Sequence, residues 1–321
     1  MKFLKHLLVL TLVASLGGFL APLAKAQETV QVEDIHGTQE VAKNPKVVVA
    51  LDNRTFQTLE EWGIPLAAVP KDVMPADSAY VKDDQVENIG NHREPNLELI
   101  AALQPDLVIV GQRFASHYDA IKELVPDATV LDFSWDVSEE AEEAGENLTQ
   151  GLIKGSKDLG AIFGKEKEAD QLVADFESAI QEAKNAYNGK DKVMSLVVSG
   201  GEIGFAAPHS GRVWGPLYDI LGLQPALEVD HASSDHKGDD ISVEAIAESD
   251  PDWLFVLDRD AAVADEASSP AKDVIDQAPA LAETKAIKEG HVLYAPDDTY
   301  TNESIQTFTT IFQEIAKAFA K

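Results

Sequence analysis

PNLELIAALQPDLVIVGQR, Pro95 to Arg113, is answered later in the chain by DISVEAIAESDPDWLFVLDR, Asp240 to Arg259. At a constant offset of 146 and without gaps, Glu98 falls on Glu244, Ile100 on Ile246, Ala101 on Ala247 and Pro105-Asp106 on Pro251-Asp252. The apolar runs Leu107 to Val110 and Trp253 to Val256 then coincide, and Arg113 falls on Arg259. An internal echo of this kind marks a structure built twice. Between the copies, from about Ser138 to Tyr187, the text is helical. Two copies joined by a long helix predict a two-lobed molecule with a cleft between the lobes, and function is sought in that cleft.

The rest of the chain fits this plan. Its 321 residues suffice for two domains with separate cores. Residues 1–26 read as a secretory signal: Lys2 and Lys5, an apolar run from Leu7 to Leu20, then Ala24-Lys25-Ala26, with cleavage after Ala26. There is no cysteine, which excludes a disulfide framework and a lipid on a cysteine. A freely soluble periplasmic protein is expected. The formal charge is −30, and removing three signal lysines and no acids takes it to about −33. Nucleic acid needs clustered cations and is excluded as a partner. Only five positive charges are arginines: Arg54, Arg93, Arg113, Arg212 and Arg259. They lie in loop-like text, several where a strand has just ended.

Residues 27–46 read as a loose polar lead-in with at most a short strand at 28–32. Strands are expected at 46–51, 64–69, 107–110 and 128–133, with helices at 55–62, 97–103 and 118–124 between them. Alternation at this spacing predicts a parallel, doubly wound sheet. Helical text follows from 138 to 164 and from 166 to 187. At about 1.5 Å per residue the first of these spans a lobe, and it is expected to be a strut that permits only a small closure. The second half repeats the alternation, with strands at 192–198, just before Pro208 and at 290–295, and a closing helix at 304–320. The expected fold is α/β: two Rossmann-like lobes with mostly parallel sheets, 27–137 and 165–321, joined by one long interlobe helix, 138–164.

Ligands of open parallel sheets bind beyond the carboxyl ends of the strands. The repeat puts Arg113 and Arg259 there, and Arg212 also follows a strand. Three guanidiniums at one cleft make an anion site, each able to fork two donors to oxygen. The competing role is pairing with an adjacent acid, as Asp258 beside Arg259 allows. His231, His236 and Tyr300 lie in polar loops of the second half. Imidazole and phenolate both bind a hard ferric ion, although loop histidines are commonly plain surface. Glu98 and Glu244 begin equivalent helices, where acids suit the helix dipole or serve as paired docking contacts. No G-x-S-x-G, P-loop or G-x-G-x-x-G occurs.

The two repeated phrases, the signal and the connecting helix resemble the helical-backbone class of periplasmic binding proteins, which serve ABC importers of iron–siderophore, haem and cobalamin. VGQRFASHYD, HSGRVWGPLYDILG, HKGDDIS and PDWLFVLDRD are similar to the catecholate-siderophore binders in particular. The resemblance implies a monomeric, non-enzymatic protein without a resident cofactor, whose ligand brings the ferric ion. It implies that Arg113, Arg212 and Arg259 cradle the anionic chelate. His236 (with His231 as fallback) and Tyr300 would complete the iron's coordination, although DDTYTNES departs from the family's usual text there. Glu98 and Glu244 match acids presented to permease arginines. A haem or cobalamin carrier of the same class, or an exported hydrolase, are the alternative readings.

Overall fold

The computed structural model describes residues 27–138, 140–229, 237–263 and 269–321. The signal segment and both loop histidines, His231 and His236, lie outside the described residues. The first lobe opens on an antiparallel hairpin, β1 (Thr29–Asp34) with β2 (Gly37–Ala42); the short strand expected at 28–32 falls on β1, and β2 stands where a loose lead-in was expected. Val32 and Val41 are its buried side chains, so the alternation that marks a strand rests on few residues. Tertiary contacts hold it: the Asp34 carboxylate accepts the Asp132 N–H at 3.0 Å, and His36 stacks on Tyr118 at 3.7 Å.

The chain continues through β3 (Val48–Ala50), α1 (Phe56–Glu61), β4 (Ala68–Val69), α2 (Ala79–Lys82), β5 (Glu87–Asn88), α3 (Leu97–Leu103), β6 (Leu107–Val110), α4 (Tyr118–Leu124) and β7 (Thr129–Asp132). The strands pair in parallel in the order β5-β4-β3-β6-β7. After α5 (Ala144–Phe163) and α6 (Glu166–Ala186), the second lobe carries β8 (Lys192–Ser199), β9 (Glu202–Phe205), α7 (Gly215–Leu221), β10 (Gln224–Pro225), α8 (Val243–Glu248) and β11 (Trp253–Asp258). It closes with α9 (Arg259–Val263), α10 (Ala271–Asp276), α11 (Lys285–Glu289), β12 (Val292–Tyr294) and α12 (Ile305–Phe319). Its sheet runs β10-β8-β11-β12 in parallel, with β9 antiparallel on β8. Strand order reverses between β3 and β6 in one lobe and between β8 and β11 in the other. Each reversal opens a crevice at the carboxyl ends of the strands.

The repeat holds in atomic detail. Asn96 caps α3 by accepting Leu99 N–H, and Ser242, at the same offset, caps α8 by accepting Ala245 N–H. Gln104 and Asp250, again one offset apart, both turn left-handed after the helix, with φ of 48° and 43°. The carboxylates of Asp106 and Asp252 then reach across to the start of the neighbouring strand, β3 in one lobe and β8 in the other. Asp106 accepts Lys46 N–H at 2.8 Å and Val47 N–H at 2.9 Å, and Asp252 accepts Lys192 N–H at 2.7 Å. Each copy is thus a capped helix, a sharp turn and a hook that fixes the register of a central strand.

The helix expected from 138 begins at Ala144. At about 1.5 Å per residue, a helix running from Ser138 would carry its start about 20 Å from Gly151. Yet Trp135 lies flat on Gly151, where any Cβ would strike the indole. The chain must therefore double back before the helix starts, and Asp136 helps by accepting Ser138 N–H and, through its carbonyl, the Asn147 side chain. Once formed, α5 belongs to two cores. Leu148 and Leu152 pack with Trp214, Leu217 and Phe308 of the second lobe, whereas Leu159, Ile162 and Phe163 pack with Val48, Leu59 and Leu131 of the first.

Candidate ligand cleft

Five loops meet where the two crevices face each other. Gly111-Gln112-Arg113 leaves β6, and Arg259 follows β11 directly. Asp52-Asn53-Arg54 leaves β3, and the loop 295–304 leaves β12 carrying Tyr300 and Glu303. Gly111 is needed because a Cβ there would run into the Asp52 carboxylate. Arg212 comes from a tight loop tied by Gly211 N–H to the Ala207 carbonyl (2.9 Å) and by Gly215 N–H to the Gly211 carbonyl (2.7 Å). The next residue, Val213, sits at φ 65°, a strained conformation for a β-branched side chain that the packed loop enforces.

The three guanidiniums marked by the sequence converge on one ring. The Cζ atoms of Arg212, Arg113 and Arg259 lie 4.4, 4.9 and 5.0 Å from the Tyr300 ring centroid. Each contact of this kind is worth about 0.5–2 kcal/mol and together they fix the cluster. Arg113 also donates to the Tyr300 carbonyl at 2.5 Å, and Arg259 to Ser199 Oγ at 3.2 Å. In all three the Nε is buried without a partner, an unmatched donor that a bound acceptor would satisfy. Asp258, the suggested partner of Arg259, instead accepts the amides of Ala261 (2.9 Å) and Ala271 (2.7 Å). It is a structural acid of α9 and α10.

Two residues that sequence reasoning passed over complete the floor. Glu303 is buried and accepts from Arg212 Nη2, and its other oxygen lies 3.8 Å from Arg54 Nη2. Arg54 is itself buried, with its guanidinium 3.7 Å above the Trp135 ring. Burial acts to raise the Glu303 pKa, but Arg212, Arg54 and Arg113 outweigh it and hold the carboxylate below its usual range. Asp52 goes the other way: burial pushes it up to about 7 against the pull of Arg54. His92 is lowered by burial and then by the neighbouring Arg113, which keeps its imidazole neutral beside the cluster. Of the five arginines, four are gathered here. The sequence marks the positions of Arg54 and Glu303 only as a strand end and a loop, and their pairing across the chain has no local trace.

Glu98 and Glu244 lie exposed in the first turns of α3 and α8. In a parallel alternation a helix runs antiparallel to its strands, so both helices begin on the edge where the strands end. The two acids therefore stand on the rims of the two lobes, on the side of the cleft.

A family model described as periplasmic binding protein matches residues 48–299 of the chain. The petrobactin-binding protein YclQ of Bacillus subtilis is 28% identical over 303 residues, covering 92% of this chain and 90% of that protein. The ferric-anguibactin-binding protein FatB of Vibrio anguillarum is 29% identical over 297 residues, covering 90% and 87%. Among solved structures, the periplasmic catecholate-siderophore binding protein VctP of Vibrio cholerae superimposes with a TM-score of 0.74 at 25% identity, covering 90% of this chain and 99% of that one.

Proposed function

The chain belongs to the periplasmic binding protein family, and from that premise we propose that it captures an anionic ferric siderophore of catecholate type between its lobes and delivers it to an ABC permease. The observation that carries the proposal is the set of three guanidiniums around Tyr300, in a protein of formal charge −30. A ferric catecholate is negatively charged and presents outward oxygens, which suit forked N–H donors. Iron positions left open by a tetradentate chelate fall to Tyr300 and to His236, or His231 in its place. Glu98 and Glu244 are the docking acids, one per lobe, for cationic side chains of the permease. The protein acts as an exported monomeric carrier, with no catalytic step; the chain contains no cysteine to hold a lipid.

Trp135, stacked on Arg54, and Trp214, two residues after Arg212, place fluorophores beside the cleft. Quenching of their emission by ferric bis- and tris-catecholate chelates gives the test. Arg113→Ala, Arg212→Ala and Arg259→Ala are each expected to weaken binding by about ten- to a hundredfold, the loss of one charge-assisted hydrogen-bonded pair. Undiminished affinity in all three would remove the anion cradle. A charge-transfer band that stays put when the bis-catecholate binds would count against protein ligands to the iron.

A further inference from the structure

We infer that Glu303 is a specificity-determining residue: its buried carboxylate cancels one of four guanidinium charges at the cleft floor and pins Arg212 against Tyr300, so that the site sorts ferric chelates by their charge. The inference rests on the capture of a ferric siderophore proposed above and adds which residue sets the preference.

The geometry singles out this acid. Both its oxygens face arginines, Oε1 with Arg212 Nη2 and Oε2 near Arg54 Nη2, and its side chain is 6% exposed. Its backbone is held on both sides. Asn302 N–H donates to the Asp298 carbonyl at 2.9 Å, and Ser304 caps α12 by accepting Thr307 N–H at 3.1 Å. Asn302 and Ser304 also bind the Gln57 side chain of the first lobe, at 3.0 and 2.7 Å. Glu303 is thus a fixed counter-charge, delivered by the same loop as the Tyr300 ring. Arg212, with one Nη committed to Glu303, keeps its Cζ 4.4 Å from that ring.

The charges around it decide what the arrangement selects. Arg54, Arg113, Arg212 and Arg259 supply four positive charges, and Glu303 stays ionised among them. Asp52, half-neutralised near pH 7, and the buried Asp132 are further counter-charges, both felt by Arg54. A net positive charge smaller than three remains. A ferric tris-catecholate carries three negative charges, a ferric bis-catecholate with two waters one, and a ferric trihydroxamate none. In a site of intermediate dielectric, one extra protein charge changes affinity by about tenfold per unit of ligand charge. Glu303 therefore sets how steeply affinity climbs with chelate charge.

The test compares dissociation constants for these three chelates at one pH and ionic strength, in the full-length mature protein. Glu303→Gln, which keeps shape and removes charge, is expected to raise the preference for tris- over bis-catecholate by at least tenfold. Arg54→Met is expected to lower it by a similar factor, and the double variant to return it to the parental ratio. If Glu303→Gln does not fold, Arg54→Met and the double variant still differ only in the Glu303 charge, and the ratio must rise between them. Melting temperatures taken alongside separate binding from stability, since a purely structural acid would change Tm and leave the ratio alone. An unmoved ratio in folded, binding-competent variants overturns the inference. A parent protein that takes none of the three chelates overturns the capture reading instead, which is a different result.

Discussion

The two lobes meet the cleft with the same scaffold and different chemistry. Arg113 and Arg259 stand at matching strand ends, behind matching caps, turns and carboxylate hooks. The neighbouring strand ends differ. In the first lobe β3 runs into Asp52-Asn53-Arg54, all buried and charged or polar. In the second, β8 runs into Ser199-Gly200-Gly201, whose glycine amides are taken by Asp260 at 2.9 and 3.1 Å. The loops after the next strands differ too: Trp135 follows β7 and lies on Arg54, whereas Tyr300 follows β12 and receives three arginines. Duplication supplied a frame, and the binding chemistry was then written separately on each half. The frame is where the halves must agree, because both need a parallel sheet in register. The strand ends are free to diverge, because a ligand without twofold symmetry asks for different groups on its two sides.

The asymmetry should be largest in pH dependence. Asp52 ionises near pH 7 in the fold and near 4 when unfolded, so its stabilising contribution is complete below about pH 4 and is lost as pH rises to about 7. Urea unfolding of the parent is expected to lose up to about 4 kcal/mol from this source across that window, and Asp52→Asn to flatten the slope. A slope that survives the substitution would mean the first-lobe strand end does not titrate. The hooks should show a smaller asymmetry. Asp106 accepts two amides, whereas Asp252 accepts one amide and the half-exposed Lys285 ammonium, a surface pair worth little, so Asp106→Ala is expected to cost about 2 kcal/mol and Asp252→Ala about 1–1.5, by denaturant midpoints. The caps should show none. Asn96→Ala and Ser242→Ala are each expected to cost about 1 kcal/mol, equal within a few tenths. Unequal caps would show that the frame has diverged as well.

The duplicated frame is legible in the sequence because its parts are local. A cap, a helical turn, a Pro-Asp corner and an apolar strand occupy one short phrase, and α3 falls at 97–103 as that phrase predicts. The convergence of Arg113 and Arg259 is legible for a related reason, since strand ends in parallel sheets point to one edge; Arg212 follows the antiparallel β9 and joins them through its own tight loop. The β1–β2 hairpin is not, because it packs through few apolar residues and its tethers, Asp132 and Tyr118, lie far along the chain. Nor is the late start of α5, which is set by an indole needing a glycine surface rather than by helix propensity. Arg54 and Glu303 are the extreme case. A buried ion pair is visible only once both partners are placed, and these come from opposite ends of the chain.

The helix shared by two cores has a thermodynamic consequence. Leu148 and Leu152 are lost to the second core if α5 frays at its start, and Leu159 and Phe163 to the first if it frays at its end. Neither half can melt without exposing apolar surface that the other depends on, so heating should produce one cooperative transition rather than two, with calorimetric and van't Hoff enthalpies in agreement. A carrier built this way holds or releases its cargo as an intact body, with little room for one lobe to loosen while the other stays firm.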